Sequence, residues 1–280
     1  MEDFSKTLHI DDEAVHQRLA ALLNTPNAFF NRKSTLMALM GFADLTSLEG
    51  SDTKSKIIEL CEKGLSVTKH GFPAVAAVCV YPTLVKTARK ALEGSGIKVA
   101  AVAGAFPAGQ SPIHIKTAEV RYTVDEGADE IDMVISRGKF LEGEYNLVFD
   151  EIAAIKEACG KAHLKVILET GELKSATNIR RASEIAIKAG GDFIKTSTGK
   201  IQPAATLHAM LVMLEAISDH KSGTGKMVGI KPAGGIADPD MALQYYTLVE
   251  KVVGKEWLTN EWFRIGASRL VDNLIEEVLK

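Results

Sequence analysis

The chain has no apolar run long enough to span a bilayer, which takes about 20 residues as a helix. Nor does a basic segment lead into an apolar one at Met1 to Lys6, so the start does not read as a signal peptide. Both absences favour the cytosol. Cysteine is scarce. Cys61, Cys79 and Cys159 are scattered, odd in number and without metal-ligand spacing, and each lies in an apolar stretch, so buried free thiols are expected. Charge of one sign is missing too: a net charge of -3 over 280 residues gives no electrostatic case for a nucleic-acid or anionic-membrane partner. The histidines, His9, His16, His70, His114, His163, His208 and His220, never pair on one helix face as metal ligands would, and each reads as a surface or packing residue. There is no low-complexity segment.

What the chain does have is a regular alternation. Short apolar runs occupy 41–45, 74–80, 99–103, 130–134, 165–168, 192–196, 227–231 and 262–266, several of them near-continuous Val, Ile and Ala, as strands covered on both faces should be. Amphipathic patterns lie between them. Val148, Ile152, Ile155 and Cys159 recur at helical spacing before Gly160. Ile179, Ala182, Ala186 and Ala189 do so between a Ser175 N-cap and Gly190. Asp238-Pro239 and Ser111-Pro112 signal helix starts, and a final helix from about Ser268 places Val271, Leu274 and Val278 on one face. Eight such units in about 240 residues fit an α/β fold of the (β/α)8 barrel type, in preference to an open doubly wound sheet. The expectation is one barrel domain over 1–280, with 1–40 an N-terminal helical extension. Val15, Leu19 and Leu22 mark a helix there, placed across the barrel bottom. The segment 218–226 reads as a mobile loop, and Met210, Leu211, Met213, Leu214 and Ile217 as core or an oligomer face.

In this fold, chemistry sits where strands end. Strand alternation puts Lys195 on the face of Phe193, Lys231 on the face of Gly229, and Asp132 opposite Ile131 and Met133. Three ionisable residues therefore converge on the barrel interior. A buried amine beside a second cation loses proton affinity, and a neutral lysine can attack a carbonyl to form a Schiff base. The alternative is a structural salt-bridge layer. Glycine turns follow three late strands: Thr198-Gly199-Lys200, Gly234-Gly235 and Gly266-Ala267-Ser268. Together they suggest a phosphate site of backbone N–H groups, with Lys200 adding charge. Gly223-Thr224-Gly225-Lys226 resembles part of a P-loop, but no Ser or Thr follows the lysine and the segment precedes a strand.

The chain resembles the deoxyribose-phosphate aldolases, class I aldolases with a (β/α)8 fold. The likeness runs from Asp44-Leu45-Thr46-Ser47-Leu48 through Ala77-Val78-Cys79-Val80-Tyr81-Pro82, Phe106-Pro107-Ala108-Gly109, Glu130-Ile131-Asp132 and Leu168-Glu169-Thr170-Gly171-Glu172-Leu173. It continues through Phe193-Ile194-Lys195-Thr196-Ser197-Thr198-Gly199-Lys200 and Lys231-Pro232-Ala233-Gly234-Gly235 to Gly266-Ala267-Ser268. The resemblance implies that Lys195 is the Schiff-base lysine, that Lys231 depresses its pKa and relays protons, and that Asp132 assists proton transfer with Asp44 and Thr46 nearby. Cys79 would line the pocket, and Gly199, Lys200, Gly234, Gly235, Gly266 and Ser268 would hold phosphate. The implied reaction is reversible cleavage of 2-deoxy-D-ribose 5-phosphate to D-glyceraldehyde 3-phosphate and acetaldehyde, in deoxyribose phosphate catabolism.

The lysine would be the electron sink, so no metal or organic cofactor is implied. The partners are small phosphosugars and aldehydes, and a homodimer is conceivable. Two departures stand out: Ile236-Ala237 where the family often has Val-Arg, and Arg269 where it often has a second serine. The residues end in Glu277-Val278-Leu279-Lys280, without the tyrosine tail of some members. The competing readings are another Schiff-base aldolase of phosphosugars, a non-catalytic phosphosugar-binding barrel, and a metal-dependent aldolase, the last disfavoured by the lack of a histidine cluster.

Overall fold

A computed structural model describes residues 3–25 and 31–280. Met1, Glu2 and 26–30, parts of the expected N-terminal extension, lie outside the described residues. Eight parallel strands follow one another: β1 Ala43–Thr46, β2 Ala77–Val80, β3 Lys98–Val102, β4 Glu130–Val134, β5 His163–Ile167, β6 Phe193–Lys195, β7 Gly229–Lys231 and β8 Ile265–Ala267. Each pairs with its sequence neighbour, and β8 pairs back onto β1. The remaining seam closes through backbone hydrogen bonds from Ile230 N to Trp262 O (2.8 Å), Arg264 N to Ile230 O (3.0 Å) and Gly266 N to Pro232 O (2.9 Å). The protein is a (β/α)8 barrel, as the alternation of runs and amphipathic patterns implies.

Two helices, α1 Asp12–Asn24 and α2 Arg32–Met40, precede the first strand. Between and after the strands come α3 Lys54–Ser66, α4 Val85–Ala91, α5 Ile113–Asp125, α6 Arg137–Leu141, α7 Tyr145–Ala158, α8 Thr170–Leu173, α9 Ala176–Lys188, α10 Leu207–Thr224, α11 Pro239–Val252 and α12 Leu270–Leu279. Helix starts obey capping chemistry. Ser175 accepts from Asn178 N and Asp238 from Asp240 N, each satisfying a donor that the first turn leaves unpaired. Ser111-Pro112 does precede a helix, but the cap is Pro112, which has no side-chain acceptor.

The main core lies between the outer strand faces and the helices. It contains Ile131, Met133, Val166, Ile194 and Ile230, the residues that alternation assigns outward, and the whole stripe Met210, Leu211, Met213, Leu214 and Ile217. Truncating one of these, as in Leu214→Ala, should cost about 2–5 kcal/mol.

Two expectations are corrected. The segment 218–226 is not a loop: α10 runs through Thr224, because its polar residues lie in the last turns of a helix whose apolar face is already buried. Gly225 closes it in the left-handed conformation (φ 74°), its N–H bonding to Lys221 O. The N-terminal helix does not cover the barrel bottom. It packs on α10 and α11. At one end the Asp12 side chain accepts from Ala176 N (3.0 Å) at the start of α9. At the other, Lys251 Nζ donates to Leu22 O (2.5 Å) near the end of α11. It therefore runs down the outer layer.

Candidate active site

Alternation along eight short strands brings an unusual set of side chains into the barrel. Asp132 of β4 is fully buried. Its Oδ2 accepts from Lys195 Nζ at 2.7 Å and from Lys231 Nζ at 2.8 Å, and its Oδ1 accepts from Lys165 Nζ at 3.0 Å. Lys195 and Lys231 are register partners on β6 and β7, so their amines leave the sheet side by side. Below them the network continues. Lys231 pairs with Asp44 Oδ2 (2.5 Å), Lys165 bonds to Glu130, and Arg264 donates to Asp44 Oδ1 (2.8 Å) and Glu130 Oε1 (2.8 Å). Phe193 lies among these cations, with Lys165 and Arg264 over its ring at 5.9 and 5.8 Å. Gly229 makes room for that ring: a Cβ there would fall 2.3 Å from a ring carbon. The opposite wall is apolar, built from Leu48, Ala77, Cys79, Ala100 and Val102 with Tyr81 and Phe106 against them.

The two lysines differ in electrostatics. Burial lowers the pKa of Lys195, and Lys231 adds to that, while Asp132 only partly opposes it. Burial also disfavours the charge on Lys231, but Asp132 and Asp44 outweigh it and the pKa rises. Asp132 and Asp44 are buried, which disfavours their charge, yet the surrounding cations hold both carboxyls well below the usual range. The Cys79 thiol is pushed up to about 11, chiefly by burial.

Lys195 opens into a cavity of about 530 Å³ at the ends of the strands. Thr46, Thr198–Lys200, Gly234–Ala237 and Gly266–Arg269 line it, so the three glycine turns and both departures from the family pattern meet at one mouth. Gly234 cannot be replaced without strain: its φ is 89°, and a Cβ would lie 2.6 Å from that of Ala204. The N–H groups of Gly234 and Gly235 make no backbone hydrogen bond among the described residues and are free to meet an anion. Lys56 and Lys63 of α3 also reach the cavity.

Residues 38–250 match the model of a family described as DeoC/LacD family aldolase. The chain is 46% identical over 256 residues to the deoxyribose-phosphate aldolase of Homo sapiens, covering 87% of this chain and 80% of that protein. It is 45% identical to that of Mus musculus over the same shares. Among solved structures, QR15, described as an aldolase, aligns with a TM-score of 0.70 at 30% identity, covering 86% of this chain and 96% of that one. The chain belongs to the DeoC/LacD aldolase family.

As a DeoC/LacD aldolase the protein is a carbon–carbon lyase, and the cavity above Lys195 is its candidate site. Lys195, Lys231, Asp132 and Asp44 share one network, as the sequence implies. Thr46 faces the cavity, where its hydroxyl donates to Asp44 O (2.8 Å). Cys79 lies in the apolar wall. Lys200 is on the rim, its amine paired with Glu49 at 3.0 Å. Among the described residues no cluster of His, Cys, Asp and Glu is arranged to hold a metal ion.

Sequence reasoning missed four residues of this DeoC/LacD aldolase. Lys165, Glu130 and Arg264 complete the interior network. Alternation could have found Glu130, two residues before Asp132, and Lys165, two before Ile167 on the inner face. The fourth is Glu169, fully buried with φ 57°. It accepts from Thr198 Oγ1 (2.5 Å) and Thr198 N (3.2 Å), and Thr198 Oγ1 accepts from Lys200 N (3.1 Å). Burial pushes the Glu169 carboxyl up, against Thr198 and Arg137, which favour its charge. Glu169 thus pins the first glycine turn from beneath.

Proposed function

We propose that the chain catalyses reversible cleavage of 2-deoxy-D-ribose 5-phosphate to D-glyceraldehyde 3-phosphate and acetaldehyde through a Schiff base on Lys195. One observation carries the reading. A lysine with lowered proton affinity shares a carboxylate oxygen with a lysine held cationic, below a cavity rimmed by free glycine N–H groups. The human and mouse relatives named deoxyribose-phosphate aldolase support the substrate.

Neutral Lys195 attacks C1 of the open-chain aldehyde, and the carbinolamine loses water to give an iminium ion. The C3 hydroxyl passes its proton through water to Asp132 and the C2–C3 bond breaks, its electron pair passing through C2 into the iminium to form an enamine. Glyceraldehyde 3-phosphate, carrying C3 to C5, leaves. A proton reaches C2, and hydrolysis frees acetaldehyde and the amine. Lys231 is the proton source, and Asp132 orients both amines and returns protons through water. Gly199, Lys200, Gly234, Gly235 and Ser268 receive the phosphate, with Gly266, whose N–H is held by Pro232 O, leaving room beside it and Thr198 shaping the first turn. Arg269 and Ala237 both line that cavity.

Borohydride reduction with acetaldehyde, followed by peptide mapping, tests the reading. An ethyl adduct on Lys195 is expected. An adduct on Lys231 alone would reverse the two roles, and no adduct would sink the Schiff base.

A further inference from the structure

The barrel interior holds seven ionisable groups in one connected network: the cations Lys165, Lys195, Lys231 and Arg264, and the acids Asp44, Glu130 and Asp132, all buried. Four cations face three carboxylates. An unbalanced charge in a low-dielectric interior is costly, so a group that can change its protonation will do so. Arg264 cannot yield, because a guanidinium does not deprotonate in proteins. Among the described residues, Lys165 has carboxylate oxygens of Glu130 and Asp132 in reach and Asp44 at 3.9 Å, and Lys231 has Asp132 and Asp44. Lys195 has only one carboxylate oxygen, at 2.7 Å, and shares it with Lys231. The cation with the fewest partners is the one that gives up its proton.

We propose that Arg264, beneath the reacting amine, is a positioning residue that acts through Asp44 and Glu130 to keep Lys195 uncharged. Its fixed charge occupies one oxygen of Asp44 and both of Glu130. The lysines must then share what remains. Among the described residues, β2 presents Cys79, a thiol kept protonated by burial, and β3 presents Ala100 and Val102, while the acids on the cavity rim, Glu49 and Asp272, are paired with Lys200 and Lys63 beside Lys56 and Arg269. The same imbalance serves the chemistry. When Lys195 becomes an iminium the interior again holds one cation too many, and collapse to the neutral enamine as C2–C3 breaks relieves it. The network therefore disfavours charge on this nitrogen both before attack and at the cleavage step.

The inference rests on Lys195 being the nucleophile, and the experiment separates the two. The pH dependence of kcat/KM and of the borohydride-trapped acetaldehyde adduct would be measured for the wild type, Arg264→Lys, Arg264→Gln, Glu130→Gln and the double variant Arg264→Gln/Glu130→Gln. No adduct on wild-type Lys195 would remove the Schiff-base reading itself. Given an adduct, Arg264→Gln should raise the acidic limb by roughly one pH unit, the size expected for a unit charge on the order of 10 Å away at an effective dielectric of about 20. Arg264→Lys should hold the wild-type limb. Glu130→Gln, which removes an acid, should lower it by a similar amount, and the double variant should return it to the wild-type position. Should Arg264→Gln fail to fold, Glu130→Gln and the double variant still decide. A limb that stays put in folded Arg264→Gln, or that fails to fall in Glu130→Gln, overturns the proposal.

Discussion

The barrel interior and the rim of its cavity both carry lysines beside carboxylates, but the pairs behave differently. Inside, Asp132 holds three buried amines, and removing one partner of such a pair costs about 3–5 kcal/mol. On the rim, Lys200 pairs with Glu49 and Lys63 with Asp272 in reach of solvent, where ion pairs contribute about 0–1 kcal/mol. Burial converts proximity into pKa shifts, so the interior is where the proposed reactivity of Lys195 resides. The rim keeps its charges within reach of solvent and its glycine backbone open, an arrangement suited to recognition. Glu169 spans the two: a buried carboxylate whose hydrogen bonds hold a rim turn in place.

The sharpest way to break this comparison is Lys231→Leu. It removes an interior charge while leaving the rim intact. Lys195 then becomes the main partner of Asp132 Oδ2 and its pKa rises, so less neutral amine exists at neutral pH. The rate near pH 7 should fall by about 10²-fold or more and recover in part as pH rises, since deprotonation of Lys195 follows pH upward. A full pH–rate profile checks this, and normal turnover at pH 7 would contradict it. Stability should fall as well, because Asp44 loses a cation in a buried site; a denaturant titration measures that loss.

Glu169→Gln probes the link between the regions. The amide keeps an acceptor but loses charge, and hydrogen bonds to a charged group are worth about 1.5–3 kcal/mol. KM for the phosphosugar should rise about tenfold. Acetaldehyde trapping on Lys195, which needs no phosphate, should be nearly unchanged. Loss of trapping would place Glu169 with the interior instead. The smallest change is expected from Lys200→Gln on the rim. KM should rise by about fivefold or less, as for other exposed charges, with no shift of the pH–rate profile. A shifted profile would erase the distinction between the regions.

Much of this was legible in the residues. Near-continuous Val, Ile and Ala runs marked strands buried on both faces, and Ser175 and Asp238 marked helix starts. Alternation around Phe193, Gly229 and Met133 turned Lys195, Lys231 and Asp132 inward. What stayed hidden were residues whose partners lie on other strands. Lys165 looks like a charged strand start, yet on the neighbouring strand β4 it meets Glu130. Arg264 sits between Phe263 and Ile265 without a local sign that Asp44, at the far end of the chain, would accept its proton donors. Glu169 belongs to a recognisable run, but its backbone geometry and its grip on Thr198 arise only when β5 and β6 lie side by side.

The sequence by itself determined the barrel, the inward lysine pair with its aspartate, and the glycine turns, because strand period, capping and turn chemistry are local. Only the tertiary structure decided which lysine has its proton affinity lowered and which has it raised. That choice depends on how many carboxylate oxygens reach each amine, and strand register and barrel closure set those distances between residues far apart in the chain.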